Sequence, residues 1–384
     1  MKASVIICTY NRAELLKESI QSVLEQDFQL GQFELVVVDN NSTDETEKIV
    51  KAVASSSMAR IRYLFEGRQG LSFARNAGIK GANGEIIVFI DDDVEAEKTW
   101  LREMVSVFNN PDVVCAGGPV LPLWPSEKPD WLKGRFLDYL SVNEFKYARQ
   151  YGEFKEENSY PIGANMAFRK TIFETIGMFP TNLGRVGYSL LSNNELLPFI
   201  KIRAINKCIP FVPNAVIHHK IAPERLKKPW FYHRVYWQGR SDAILDMNMK
   251  ANVYDRLRQH ASAMMRRKME NKEDDFEDKC LNRLVKGYLH QLVLSQDEHI
   301  ENSFRRLRSL EEFVTEIMKT SAEQCSDKIR QAEEFVAEIM KTSTEEYSDK
   351  IRQRDKQLGQ LVSSLSWRIT APFRIIHRLF AKPE

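Results

Sequence analysis

The chain has 384 residues, 43% of them hydrophobic and 28% charged, enough to bury a core in two or three units at roughly 150 residues per domain. Lys plus Arg is 55 against 53 Asp plus Glu, a formal net charge of +2 that gives no global footprint for nucleic acid. Cys8, Cys115, Cys208, Cys280 and Cys325 are odd in number, scattered and without a C-x-x-C pair, which argues against a disulfide framework or a zinc site and for a reduced, cytoplasmic chain.

The N-terminal run MKASVIICTYNR lacks a small-residue cleavage pattern and reads as a first strand, not a signal peptide. Apolar strand-like runs at residues 4–8, 33–38, 61–65, 85–90 and 113–116 alternate with helical patterns near 13–25, 44–53, 71–80 and 98–108. Runs such as VVV and IIVFI are continuously apolar, as strands covered on both faces should be, so the expected class is α/β with a mostly parallel sheet. Ser42 with Glu45 predicts a capping box opening the second helix. The longest uncharged stretch, residues 113–126, holds Pro119, Pro122 and Pro125 and is too short and broken to span a bilayer.

Four units are expected: 1–245, a helical extension 246–300, a repeat region 301–363 and a basic tail 364–384. In the third, EEFVTEIMKTSAEQCSDKIRQ recurs 22 residues later as EEFVAEIMKTSTEEYSDKIRQ. That is two elevens, a period that keeps one helix face apolar and favours a right-handed supercoil and a homo-oligomer. A solitary charged helix is the competing reading. The tail WRITAPFRIIHRLFAK is basic and amphipathic; it suits peripheral contact with the inner face of a membrane, or docking on its own protein.

In parallel sheets ligands sit at the carboxyl ends of the strands. Three features fall there: Thr9, Tyr10, Asn11 and Arg12 after the first strand, Asp39 after the second, and Asp91, Asp92 and Asp93 after the fourth. Carboxylates about 4 Å apart repel by roughly 4 kcal/mol at an effective dielectric near 20, so the triplet needs full solvation or a cation such as Mg2+ or Mn2+ held jointly with phosphates. Asp39 alone reads equally as a turn or N-cap residue. Tryptophans 124, 131, 230 and 237 suit sugar stacking or core packing.

The ordered runs VIICTYNR, ELVVVDNNSTDET, GLSFARNAGI, IIVFIDDD and IGANMAFRKTIFETIGMFPTNLGR, with LLSNNELL and HHKIAPERLKKPWFYHRVYWQGRSDAI, resemble the family 2 glycosyltransferases of GT-A fold over residues 1–245. The resemblance implies a metal-dependent, inverting transfer of one sugar from a nucleotide diphosphate sugar. Thr9 and its loop, together with Asp39, would meet the nucleotide. Asp91 and Asp93 would be the D-x-D that bridges ribose and metal, with Asp92 sharing the work. Arg75 and Asn76 would border the nucleotide or fix their loop through backbone hydrogen bonds. Gly163, Ala164 and Asn165 would shape the sugar side, and His219 would be a metal or diphosphate contact or a structural histidine.

The family usually shows Gly-Glu-Asp after Leu-Leu-Ser, the last acid serving as catalytic base. Here Glu195 takes that position, preceded by Asn194. The Q-x-x-R-W motif of processive members is absent, which implies single additions to a saccharide or lipid-linked acceptor. Two other classes stay open: a degenerate transferase that binds or scaffolds without turnover, and a nucleotidyltransferase, whose Gly-rich, basic first loop is missing.

Overall fold

The computed structural model describes residues 1–142, 152–154, 159–187, 189–251, 256, 259 and 275–296. These lie within one compact unit, residues 1–312; a second unit, 313–384, falls outside the described residues, as do the expected 22-residue repeat and the basic tail.

The main sheet is built from β1 (Ala3–Thr9), β2 (Phe33–Asp39), β3 (Arg60–Phe65), β4 (Ile86–Asp91), β6 (Cys115–Gly117) and β8 (Asn165–Arg169), in the order β3-β2-β1-β4-β8-β6. The first four run parallel; β8 runs antiparallel to both β4 and β6. Strand alternation divides the core in two. Val5, Ile7, Leu35, Val37, Val88 and Ile90 face one layer, while Ile6, Val36, Val38, Ile87 and Phe89 face the other. The first layer is filled by Leu16, Ile20 and Val23 of α1 (Ala13–Leu24), spaced along one helical face, and by Trp100, Leu101, Met104 and Val105 of α4 (Trp100–Ser106). The second takes Ala74 and Ile79 of α3 (Leu71–Gly81), with α5 (Ile172–Ile176) and α6 (Leu196–Ala204). Each fully buried Val, Leu or Ile contributes about 1.5–3 kcal/mol, which makes this two-sided burial the main support of the sheet.

One helix start differs from expectation. The Ser42–Glu45 capping box does not form, because Glu45 stands at the N-cap of α2 (Thr46–Ser56) without a side-chain cap. Asp44 takes over: its Oδ1 accepts from the Thr46 N–H (3.1 Å) and its Oδ2 from the Ala13 N–H (3.0 Å). Ser42 Oγ is turned back to the first loop and accepts from the Asn11 N–H.

A second sheet, β5 (Val94–Ala96), β9 (Ile217–Lys220) and β7 (Val120–Leu123), was not anticipated; it carries His219 opposite Val94, just past the Asp triplet. Two long helices follow, α7 (Lys228–Asn248) and α8 (Asp275–Gln296). They meet so closely that a Cβ on Gly239 would lie 1.9 Å from the Leu284 carbonyl oxygen, and one on Gly287 1.9 Å from that of Tyr236. Only glycine fits at either position. A boundary at residue 245 would cut α7 in its last turn. No helix among the described residues is long and apolar enough to cross a membrane.

Candidate active site

The carboxyl ends of β1 and β4 and the segment leading into β8 open on a cleft of roughly 870 Å³, closed on its far side by residues 189–196 and α7. It brings together Thr9, Tyr10, Arg12, Arg75, Asp91, Asp92, Asp93, Gly163, Glu195 and His219, ten of the residues expected from sequence.

The Asp triplet is met by cations. Arg12 Nη1 donates to Asp92 Oδ1 and Asp93 Oδ2, both at 2.9 Å. Asp93 also has His219 Nε2 at 3.4 Å and Arg225 Nη2 at 3.7 Å. Burial works against the charge of Asp93, yet His219, Arg12 and Arg225 together hold its carboxyl below the ordinary range. Burial prevails at Asp92, whose carboxyl is pushed up against the pull of Arg12 and beside ionised Asp93. The two neighbours are thereby set to opposite tendencies.

Arg75 is the hub of the cleft. It is 3% exposed, lies between the rings of Phe89 and Phe179, and donates through Nη2 to the Gly163 carbonyl at 3.1 Å. A side chain on Gly163 would strike that guanidinium, with a Cβ only 2.5 Å from Nη2. Asp91 Oδ1 stands 3.8 Å from Nη2, and Glu195 Oε2 stands 3.7 Å from Nη1. One buried charge thus ties the D-x-D turn to the expected base.

Glu195 is the N-cap residue of α6, where the helix dipole favours a negative side chain. With the Asn194 amide oriented to satisfy its neighbours, its oxygen accepts from Arg75 Nη1 (3.0 Å) and Ser72 Oγ (3.2 Å) while its nitrogen donates to Glu195 Oε2 (2.5 Å). The departure Asn194 therefore serves as a neutral bridge between a guanidinium and a carboxylate, a role that needs both a donor and an acceptor.

Four expected residues lie away from the cleft lining. Asp39 is buried, its Oδ1 accepting from the Ser42 N–H (2.8 Å) and its Oδ2 from the Tyr63 hydroxyl (2.8 Å); Asn40 lines the cleft in its stead. Asn11, at φ 52°, ties its loop to Thr43, whose N–H reaches Asn11 Oδ1 at 2.7 Å. Asn76 pairs both ways with the Phe179 backbone at 3.0 Å, the loop-fixing alternative of the sequence reading. Asn165 is 0% exposed and clamps the two sheets: it accepts from Trp100 Nε1 (2.9 Å) and donates to the carbonyls of Pro119 (2.9 Å) and Ala215 (2.8 Å). Among the tryptophans only Trp230 lines the cleft. Trp131 packs on Phe231 and Phe276, Trp124 packs partly buried against that cluster, and the Trp237 indole N–H donates to His233.

Sequence reasoning missed the stripe that holds the base loop. On α7, Arg234, Gln238 and Asp242 stand four residues apart, hence on one face. Gln238 Nε2 donates to Asn193 Oδ1 (2.9 Å), Asn193 Nδ2 to Asp242 Oδ1 (2.7 Å), and Ser192 Oγ to Gln238 Oε1 (3.1 Å). Asn193 adopts φ 65°, a left-handed turn that asparagine tolerates and that this network pins. The i, i+4 spacing of polar residues on a helix with little apolar stripe was the available signal.

No group of three or more His, Cys, Asp or Glu among the described residues is arranged to hold a metal by itself. The carboxylate–imidazole pair Asp93–His219 fits instead a divalent cation whose remaining ligands come from a diphosphate and water.

This parallel sheet, acidic turn and facing glutamate belong to a sugar-transferring class of fold, and the comparisons agree. The family model for glycosyl transferase family 2 matches residues 4–177. A glucosyl-dolichyl phosphate glucuronosyltransferase of Haloferax volcanii is 31% identical over 251 residues, covering 64% of this chain and 78% of that protein. The succinoglycan biosynthesis protein ExoM of Rhizobium meliloti is 23% identical over 242 residues, 62% of this chain and 73% of that one. Among solved structures, the mannosyltransferase PcManGT of Pyrobaculum calidifontis, in complex with GDP-Man and Mn2+, superposes with a TM-score of 0.52 at 20% identity, covering 76% of this chain and 87% of that one. The chain belongs to glycosyl transferase family 2 and has its GT-A fold.

Proposed function

We propose that this glycosyltransferase moves a single sugar from a nucleoside diphosphate sugar to an acceptor hydroxyl with inversion, and that Glu195 is the general base. The observation that carries the reading is the position of Glu195 across Arg75 from Asp91, in the same cleft as the Asp triplet. Thr9, Tyr10, Arg12 and Asn40 bind the nucleotide end of the donor. Asp93 and His219 are the protein groups that hold a divalent cation, Mg2+ or Mn2+, which when bound offsets charge on the departing diphosphate. Gly163 and Trp230 border the sugar.

Glu195 takes the proton of the acceptor hydroxyl as that oxygen attacks the anomeric carbon from the face opposite the diphosphate, and the configuration inverts in the one displacement. The Asn194 N–H and Arg75 fix the direction of its carboxylate, and the network from Ser192 and Asn193 to α7 fixes the backbone that bears it. Relatives named for dolichyl phosphate glycosylation and succinoglycan biosynthesis favour a lipid-linked or polysaccharide acceptor, met at the cytoplasmic face of a membrane.

The test is nucleoside diphosphate release across a panel of nucleotide sugars with Mn2+ and candidate acceptors, for wild type and Glu195→Gln. A general base supplies on the order of 10²–10⁴ in rate, so the variant should lose at least about a hundredfold in kcat with donor Kd unchanged. Turnover retained in Glu195→Gln removes Glu195 from the chemistry.

A further inference from the structure

Six arginines line the cleft: Arg12, Arg75, Arg135, Arg185, Arg225 and Arg234. Arg12 and Arg225 face the Asp triplet, and Arg75 lies between Asp91 and Glu195. Arg185 and Arg234 are different, for neither makes an ion pair among the described residues. Arg234 is only 5% exposed, and its Nε and Nη1 are buried without a hydrogen-bond partner, as is Nη1 of Arg185. A buried guanidinium N–H left unpaired is costly, and two such groups in one cleft compound the cost with like-charge repulsion. Burial, and then the nearness of Arg234 and Arg225, press down the pKa of Arg185. A ligand with oxygen acceptors and negative charge would relieve both penalties.

The position identifies which part of a substrate that is. Arg234 Nη2 donates to Gln238 Oε1 (2.8 Å) and reaches Ser192 Oγ (3.3 Å), so its fork is fixed to the base loop, away from Asp93 and His219. Arg185 is anchored nearby, its carbonyl accepting from the Leu71 N–H, one residue before the Ser72 that contacts Asn194. The only carboxylate bonded into this corner is Asp242, whose Oδ1 already takes two amide N–H groups and whose charge burial disfavours.

We propose that Arg185 and Arg234 form an oxyanion subsite beside the base loop, which takes a second anionic group of the substrates, separate from the donor diphosphate. The group is a carboxylate on the transferred sugar or a phosphate on the acceptor; both present the planar or forked oxygens that a guanidinium reads. The inference rests on the transferase reading and adds a substrate class to it.

The experiment titrates the full-length protein, without metal or nucleotide, with glucuronate and with glycerol 1-phosphate, using glucose and glycerol as neutral controls. One of the two anions should bind with unit stoichiometry, and Arg185→Met and Arg234→Met should each weaken it roughly ten- to hundredfold. Arg234→Lys should recover part of the loss. Binding of glucuronate alone assigns the subsite to the sugar, and of the phosphate alone to the acceptor. Nucleoside diphosphate affinity with Mn2+ should move less than about threefold in Arg185→Met, which breaks no contact to the base loop and guards against misfolding of the Arg234 variant. Equal binding by wild type and both variants, or no binding of either anion, overturns the proposal. Anion binding intact in a protein that neither binds nor turns over any nucleotide sugar overturns the transferase reading alone.

Discussion

Arg75→Met should both destabilise the protein and uncouple the two sides of the cleft. The Arg75 guanidinium lies 3.7 Å from Glu195 and 3.8 Å from Asp91, contacts worth about 4 kcal/mol each at an effective dielectric near 20. Asp91 is 37% exposed, so water screens most of its share. The arginine also satisfies the Gly163 carbonyl and the Asn194 amide, both of which lose a donor in the variant. Removing one partner of a buried pair costs about 3–5 kcal/mol, and methionine returns a little by filling the slot between Phe89 and Phe179. The net expectation is a loss of about 3 kcal/mol, read as a lower urea midpoint at unchanged slope. Because the loss comes partly from stranding Glu195, Glu195→Gln in the Arg75→Met background should be less harmful than alone or even favourable. The double-mutant cycle should give a coupling of at least about 1 kcal/mol. A single variant within about 1 kcal/mol of wild type, or a coupling near zero, refutes the account of Arg75 as the hub.

Three further outcomes follow from the structure. Asn165→Leu should cost about 3 kcal/mol in urea melts, since it strands the Trp100 indole N–H and two buried carbonyls at the joint between the sheets; a loss below 1 kcal/mol would remove Asn165 as a clamp. Burial, followed by Arg240, depresses the His290 pKa to about 4, while its imidazole is hydrogen-bonded to the Tyr236 hydroxyl. A histidine depressed in the folded state contributes stability above its unfolded pKa near 6.5 and loses it as pH falls toward 4, by up to about 3 kcal/mol. His290→Phe should therefore flatten the fall in stability between pH 6.5 and 4; an unchanged slope would refute this. Removing divalent cations with EDTA should weaken nucleoside diphosphate binding at least tenfold in wild type and far less in Asp93→Asn, as measured by calorimetry; equal effects would separate Asp93 from the metal.

The donor side of the site was legible because its strands announce themselves. VVVD and IIVFID are apolar runs ending on acids, and a parallel sheet puts such ends together. The second sheet was not legible: β5 has three residues and β9 reads IHHK, and neither carries a period-2 pattern long enough to separate it from a loop. Asp39 and Asn165 were misjudged for a common reason. A polar residue beside a binding edge can face the cleft or satisfy its neighbours inside, and only the partners distinguish the two: Tyr63 and Ser42 for Asp39, Trp100 for Asn165. Arg185 and Arg234 escaped notice because a lone arginine in sequence gives no sign that its N–H groups will be buried without acceptors.

The glycine crossing of α7 and α8 reaches further than packing. Backbone presses on backbone at Gly239 and Gly287, leaving no side chain between the helices to act as a cushion. The same helix that carries Gly239 carries Gln238 and Asp242, which hold Asn193 two residues from the base. A shift of α8 would thus pass to the catalytic carboxylate with almost no slack, much as play in a bearing appears at the tool tip. A protein cut at residue 250 would keep every residue that lines the cleft, yet would lose the abutment against which the base is aimed.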